Sequence, residues 1–202
     1  MKELTFGTTN EAKIKQIRGA LAPAGIEVNG VADKSLLPEV IEDGKTANEN
    51  ARKKAIACAK VLRKTVFSMD VAVYIDGLSE ELQPALNVRR IPNSVGRPSD
   101  EDLIKYYSKI IESLGGTATG TSEYGVCIAT PNGEFRESTI MIPRKFVVPA
   151  SPNRQEGYPL SSLVVDSDSN TFMADMNQDE QDLYWQKLVG DKLINFVKSV
   201  SF

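Results

Sequence analysis

The sequence predicts an α/β protein: a mixed β-sheet with flanking helices. Three observations carry this. The first half of the chain alternates short strand-like runs with amphipathic helical stretches. Two alternating segments, 123–130 and 134–142, flank Pro131-Asn132-Gly133, which is a hairpin signal. One or two helices then close the chain between Asp179 and Val200. A chain of 202 residues is long enough to bury one substantial core.

Each element has its own justification. Leu4-Thr5-Phe6 reads as a strand and leads into the polar loop Gly7-Thr8-Thr9-Asn10. Ile14, Ile17 and Leu21 then fall on one helical face, with Asn10 as the N-cap. Thr8, Thr9, Asn10 and Lys13 gather at that helix N-terminus, where backbone N–H groups and the helix dipole favour an anion. Ile26-Glu27-Val28 is a second short strand. Residues 46–63 form a long helix with Ala51, Ala55, Ala59 and Leu62 on one side. The β-branched run from Val66 to Ile75 is a buried strand. Asp70 interrupts it, and a carboxylate among apolar neighbours is costly unless paired or bound to a metal. Residues 79–98 are broken by prolines and read as irregular. A helix from Asp100 to Leu114 shows Leu103, Ile104, Tyr107, Ile110, Ile111 and Leu114 on its apolar face and ends at Gly115-Gly116. Lys145 to Val148 is expected to form a separate strand, and 149–161 a loop.

Composition excludes several chemistries. The chain has no histidine, so Ser-His-Asp and Cys-His mechanisms, a histidine base and a His-ligated zinc are ruled out. Any metal must be oxygen-ligated, which favours Mg²⁺, with Mn²⁺ as the second choice. A net charge of −3 argues against binding a nucleic acid polymer. Cys58 and Cys127 sit in apolar contexts and are expected to pack as core thiols. No run approaches the roughly 20 apolar residues of a membrane span. The start of the sequence lacks a signal peptide's apolar region, so a cytoplasmic protein without membrane contact is expected.

Residues 42–55 hold the densest chemistry. Among them, Glu42 and Glu49 supply acids, Asn50 an amide, and Arg52, Lys53 and Lys54 a basic cluster, all on one loop-to-helix stretch. Acids suit a hard metal ion and lysines suit phosphate, so the combination points to metal-assisted chemistry on a polyphosphate. Against it stands an ordinary solvated helix start.

Three motifs occur in order: Thr8-Thr9-Asn10-Glu11-Ala12-Lys13; Glu42, Gly44, Thr46, Glu49, Asn50, Ala51, Lys54 and Ala55; and Ser68 to Asp76 around Asp70. In type and spacing the chain resembles the inosine triphosphate pyrophosphatase family, over roughly its first half. That resemblance implies an elongated fold, residues 1–202 forming a single domain with two lobes around a central cleft. It implies conversion of a noncanonical purine nucleoside triphosphate (ITP, XTP or dITP) to the monophosphate and pyrophosphate with Mg²⁺, and a homodimer. It assigns Glu42 and Asp70 to the metal and to catalysis, with Glu49 a weaker candidate for the base. Thr8, Asn10, Lys13, Asn50 and Lys54 fall to the phosphates; Tyr158, Trp185 and Lys187 fall to the base.

The second half departs from the family pattern. Where the family has Gly-Phe-Gly-Tyr-Asp-Pro, this chain has Glu156-Gly157-Tyr158-Pro159 without the Asp. Where it has Ser-His-Arg, this chain has Trp185-Gln186-Lys187. Met69 replaces the first acid of the third block, and Pro84 to Arg90 keeps only the ends of its motif. Two alternatives therefore stand beside the main reading: the same chemistry on another nucleotide, or a catalytically silent relative that binds nucleotide or a protein partner.

Overall fold

The computed structural model describes residues 2–200. Eleven regular elements follow in chain order among them: β1 (Lys2–Phe6), α1 (Glu11–Leu21), β2 (Ile26–Gly30), α2 (Ala47–Leu62), β3 (Val66–Ile75), α3 (Asp100–Ser113), β4 (Thr117–Ala129), β5 (Phe135–Val147), β6 (Val164–Val165), α4 (Gln178–Trp185) and α5 (Asp191–Ser199). The strands form one sheet in the order β2-β1-β3-β4-β5-β6. β1 pairs parallel with both β2 and β3, whereas β5 pairs antiparallel with β6, so the sheet is mixed as expected. No helix among the described residues is long and apolar enough to cross a membrane.

The chain divides into two compact units. The first comprises the residues up to Val71, Glu123–Met141 and the chain from Asp182 onward. Its core includes a patch of small residues: Ala51, Ala55, Cys58 and Ala59 of α2 against Val66 of β3 and Cys127 and Ala129 of β4. The alanine stripe lets α2 lie low on the sheet. At Gly125 the approach is so close that an added Cβ would sit 2.2 Å from the Ala47 carbonyl carbon and 2.3 Å from the Asn48 nitrogen. Only a glycine admits that crossing. Both cysteines are buried and free, as expected.

The second unit comprises Ala72–Ser122 and Ile142–Gln181. Ser99 begins α3 with a capping box, its hydroxyl accepting from Asp102 N while the Asp102 carboxylate accepts from Ser99 N. The irregular 79–98 segment is fixed by Gln83, whose amide bonds both the N–H and the carbonyl of Ile75 at 2.8 Å. Arg144 is buried here and donates to Ser122 Oγ at 3.0 Å.

Two boundary expectations need correction. The hairpin strands are longer than the alternation implied, thirteen residues each. Lys145–Val147 is consequently the end of β5, where Lys145 and Phe146 pair with β6, and not a separate strand. A proline-, serine- and asparagine-rich stretch follows as expected, but it ends in a 3-10 turn at Pro159–Ser162.

Candidate active site

The first unit brings the first two motifs and Asp70 of the third together. β1 stops at Phe6, which sits beside Phe67 of β3. β3 runs on, so Asp70 lies beyond the carboxyl end of β1, on the side where the Thr8–Asn10 loop starts α1. This is the end of a parallel sheet where open α/β folds place ligands. Asn10 caps α1, its Oδ1 accepting from Ala12 N at 3.0 Å and Lys13 N at 3.2 Å. Thr8 Oγ1 accepts from Asn10 N at 3.2 Å. The oxygens of both side chains thus fix the loop, and the Asn10 Nδ2 is the end with hydrogen to offer an anion.

On α2, Thr46 is the N-cap and accepts from Glu49 N at 3.1 Å, while the Glu49 carboxylate accepts from Lys45 N at 2.7 Å. Glu49, weighed above as a weaker base, is therefore a capping residue. One turn in, Asn50 is buried, with Oδ1 accepting from Gly44 N at 2.8 Å and Nδ2 donating to Asp70 Oδ2 at 3.0 Å. The resemblance assigns Asn50 to the phosphates; in the structure it is the bracket between the Glu42–Gly44 loop and Asp70. Gly44 is required for the fit, because a Cβ there would meet Asn50 Oδ1 at 2.5 Å.

Lys54, one turn further along α2, stands between the two acids. Its Nζ lies 2.8 Å from Glu42 Oε2 and 3.4 Å from Asp70 Oδ1. Glu42 comes from a loop and is half exposed; Asp70 comes from a strand and is largely buried. Lys13 of α1 completes the cluster. Burial pushes its ammonium below the usual lysine range; the Asp70 carboxylate opposes that shift, Lys54 adds to it and Glu42 opposes it. Lys53, by contrast, pairs with Asp43 at the surface. The result is two carboxylates and two ammonium groups in one place, supplied by a helix N-terminus, a loop, a helix and a strand.

The donor set suits a hard divalent ion. Among the described residues no cluster of three or more Asp, Glu, Cys or His side chains is placed to hold a metal. Mg²⁺ does not need one: it commonly takes one or two carboxylates and completes its shell with water and substrate phosphate. Glu42 and Asp70 fit that requirement.

The residues expected at the base are not gathered in the same way. Trp185 is buried, edge-on to Tyr124 and Tyr184 with ring centroids 6.1 and 5.6 Å apart. It is a core aromatic, which corrects the expectation that it stacks on a base. Lys187 is exposed, on a π-turn (Gln186–Gly190) held to α1 by Gln186 Nε2 donating to Gly19 O at 3.2 Å. Tyr158 belongs to the second unit and is half-buried. There a clamp that no spacing pattern announces holds the residue before it. Arg89 donates to Asp100 Oδ1 at 2.6 Å and to Gly157 O at 3.4 Å, and Gly157 N donates to Asp100 Oδ2 at 3.3 Å.

A strand, a loop and a helix N-terminus set beside two carboxylates and two lysines define an α/β protein with a charged cluster at the carboxyl end of its parallel strands. The model of the Ham1 family matches residues 4–183, and the chain belongs to that family. Its sequence is 27% identical over 181 residues to a dITP/XTP pyrophosphatase of Exiguobacterium, covering 89% of this chain and 88% of the relative. It is 26% identical over 197 residues to a dITP/XTP pyrophosphatase of Bacillus subtilis, covering 90% and 89%. The fold is that of the Staphylococcus aureus Ham1 protein, with a TM-score of 0.69 at 21% identity over 98% of both chains.

Proposed function

We propose that the chain is a nucleoside triphosphate pyrophosphohydrolase that converts noncanonical purine nucleotides of the ITP, XTP and dITP type to the monophosphate and pyrophosphate. The Glu42–Lys54–Asp70 cluster beside Lys13 carries this reading. Relatives named as dITP/XTP pyrophosphatases along about nine tenths of the chain support it.

In this proposal Glu42 and Asp70 hold Mg²⁺. The bound ion would neutralise charge on the triphosphate and polarise its phosphoryl oxygens. Lys13, Lys54, Thr8 and Asn10 grip the phosphates from α1 and α2, fixing the chain of phosphates for in-line attack. Asp70 orients a water and takes its proton as the oxygen bonds to the α-phosphorus and the bond to pyrophosphate breaks. Asn50 keeps Asp70 Oδ2 occupied, so that Oδ1 is the oxygen turned toward Lys54 and the reacting groups. Tyr158 and Lys187 remain the proposed base contacts, and a homodimer the proposed assembly.

The test is pyrophosphate release, with and without Mg²⁺, from ITP, XTP, dITP and the four standard triphosphates. Metal-dependent turnover concentrated on the deaminated purines is the expected result. Turnover of a different nucleotide would keep the chemistry and move the specificity. No turnover of any, or full activity in Asp70→Asn, would overturn the reading.

A further inference from the structure

Lys54 occupies the place where a metal held by Glu42 and Asp70 would have to sit. Its ammonium contacts both carboxylates, at 2.8 and 3.4 Å. Asp70 has its other oxygen committed to Asn50, so Oδ1, the oxygen that Lys54 covers, is the one available to a cation. The lysine is not held there by chance of a mobile surface: its side chain is only 18% exposed and its helix is locked on β4 at Gly125. With Lys13 nearby, the two acids are already balanced by two ammonium groups.

We propose that Lys54 is a resident cation that keeps the metal seat closed until a polyphosphate arrives. Resting on the reading of Glu42 and Asp70 as metal ligands, this deepens it with an order of events. A divalent ion entering alone must displace the ammonium and leave it without a carboxylate, beside Lys13 and the new dication. A triphosphate removes that obstacle. The lysine stem is flexible and its three donors turn readily, so the ammonium swings from carboxylate to phosphate as the ion takes its place. Metal and nucleotide therefore enter as a pair, and metal alone binds weakly. A nucleotide monophosphate, with fewer charges to draw the ammonium away, opens the seat less, which favours release of the product.

Lys54→Met separates this from a merely structural role, because the proposal demands effects of opposite sign. Binding of Mn²⁺ alone, read from the electron paramagnetic resonance of the free ion, should be about tenfold tighter in Lys54→Met than in the unaltered protein, the size of one largely buried opposing charge removed. Binding of the α,β-methylene analogue of ITP without metal, read by calorimetry, should weaken by at least about tenfold. A lysine that only braces the fold would weaken both. Lys54→Gln, of similar length and uncharged, must move both affinities in the same directions and serves if the methionine variant melts early. Glu42→Gln fixes where the ion sits. If Glu42→Gln abolishes Mn²⁺ binding but Lys54→Met and Lys54→Gln leave it unchanged or weaker, the placeholder role is wrong and the metal seat stands. If Glu42→Gln and Asp70→Asn both leave Mn²⁺ binding intact, the seat itself is wrong and the placeholder falls with it.

Discussion

Replacing Asn50 with aspartate changes one NH₂ for one oxygen at almost constant volume. In the native protein Asn50 Nδ2 donates to Asp70 Oδ2 across 3.0 Å while Oδ1 accepts from Gly44 N at 2.8 Å. In Asn50→Asp the second contact survives, but the first becomes two carboxylate oxygens at hydrogen-bond distance. Two acids so close cannot both ionise; they share a proton, and one folded-state pKa rises well above its unfolded value. An uncompensated charge buried in this way costs about 4 kcal/mol near pH 7. In a chain of this length that is a fall in Tm of about 8–16 °C. The sign follows from proton linkage. A group whose folded pKa is raised contributes its stability below the unfolded value near 4, and loses it as pH rises through the folded one. The variant should therefore melt near the unaltered protein at pH 5, where the shared proton restores a donor to Asp70, and far below it at pH 8. Thermal melts by circular dichroism at both values measure this. Turnover at pH 7 should fall by more than about tenfold, with KM moving less, because Asn50 acts through Asp70 and not on the substrate. An equal Tm gap at pH 5 and pH 8, or none at either, would refute the Asn50–Asp70 bond as the organising contact of the site.

Other outcomes follow from the same contacts. Gly125→Ala must lift α2 off β4, since its Cβ would meet the Ala47–Asn48 backbone at 2.2–2.3 Å; denaturant unfolding should show a loss of about 3 kcal/mol or more, with activity falling too because α2 carries Asn50 and Lys54. Ser68 is buried on β3 with its hydroxyl unpartnered, so Ser68→Ala should raise stability by up to about 1 kcal/mol, and a loss of more than that would mean the hydroxyl has a partner in solution. Burial pushes the Cys127 thiol up to about 12 and raises that of Cys58 as well. Both thiols should resist a disulfide reagent in the native state; because their protons are held in the fold and lost in the unfolded chain, stability should decline as pH climbs from about 9 toward 12. Cys127→Ala should flatten part of that alkaline decline in pH-dependent melts.

The parallel half of the fold was legible because its signals are local. Asn10 is an N-cap with its amide oxygen in place, and the small-residue stripe on α2 can be read from spacing alone. Strand ends in the hairpin were less legible. Residues 117–122 and 143–147 mix glycine, threonine, proline and charge, and pairing with neighbouring strands, not intrinsic preference, makes them extended.

The candidate site divides along the same line. Glu42, Asn50, Lys54 and Asp70 could be picked out because three of them lie within thirteen residues and the fourth is an acid inside an apolar run. Their division of labour could not be picked out, because it depends on distances between a loop, a helix and a strand. Asn50 and Lys54 are four residues apart and share a helix face, and the family resemblance assigns both to the phosphates. One helical turn separates a side chain buried under Gly44 and against Asp70 from one that reaches past Asp70 to Glu42. The residues assigned to the base show the same dependence on packing. The chemistry of Trp185 suits a base platform, yet the indole packs in the core between Tyr184 and the β4 residue Tyr124. The Arg89–Asp100 pair, which fixes the backbone of Gly157 just before Tyr158, belongs to no spacing pattern, because its two members and its target come from three separate segments. A sequence motif records residues that act within one segment. The contacts that decide how those residues are used come from the segments packed against it.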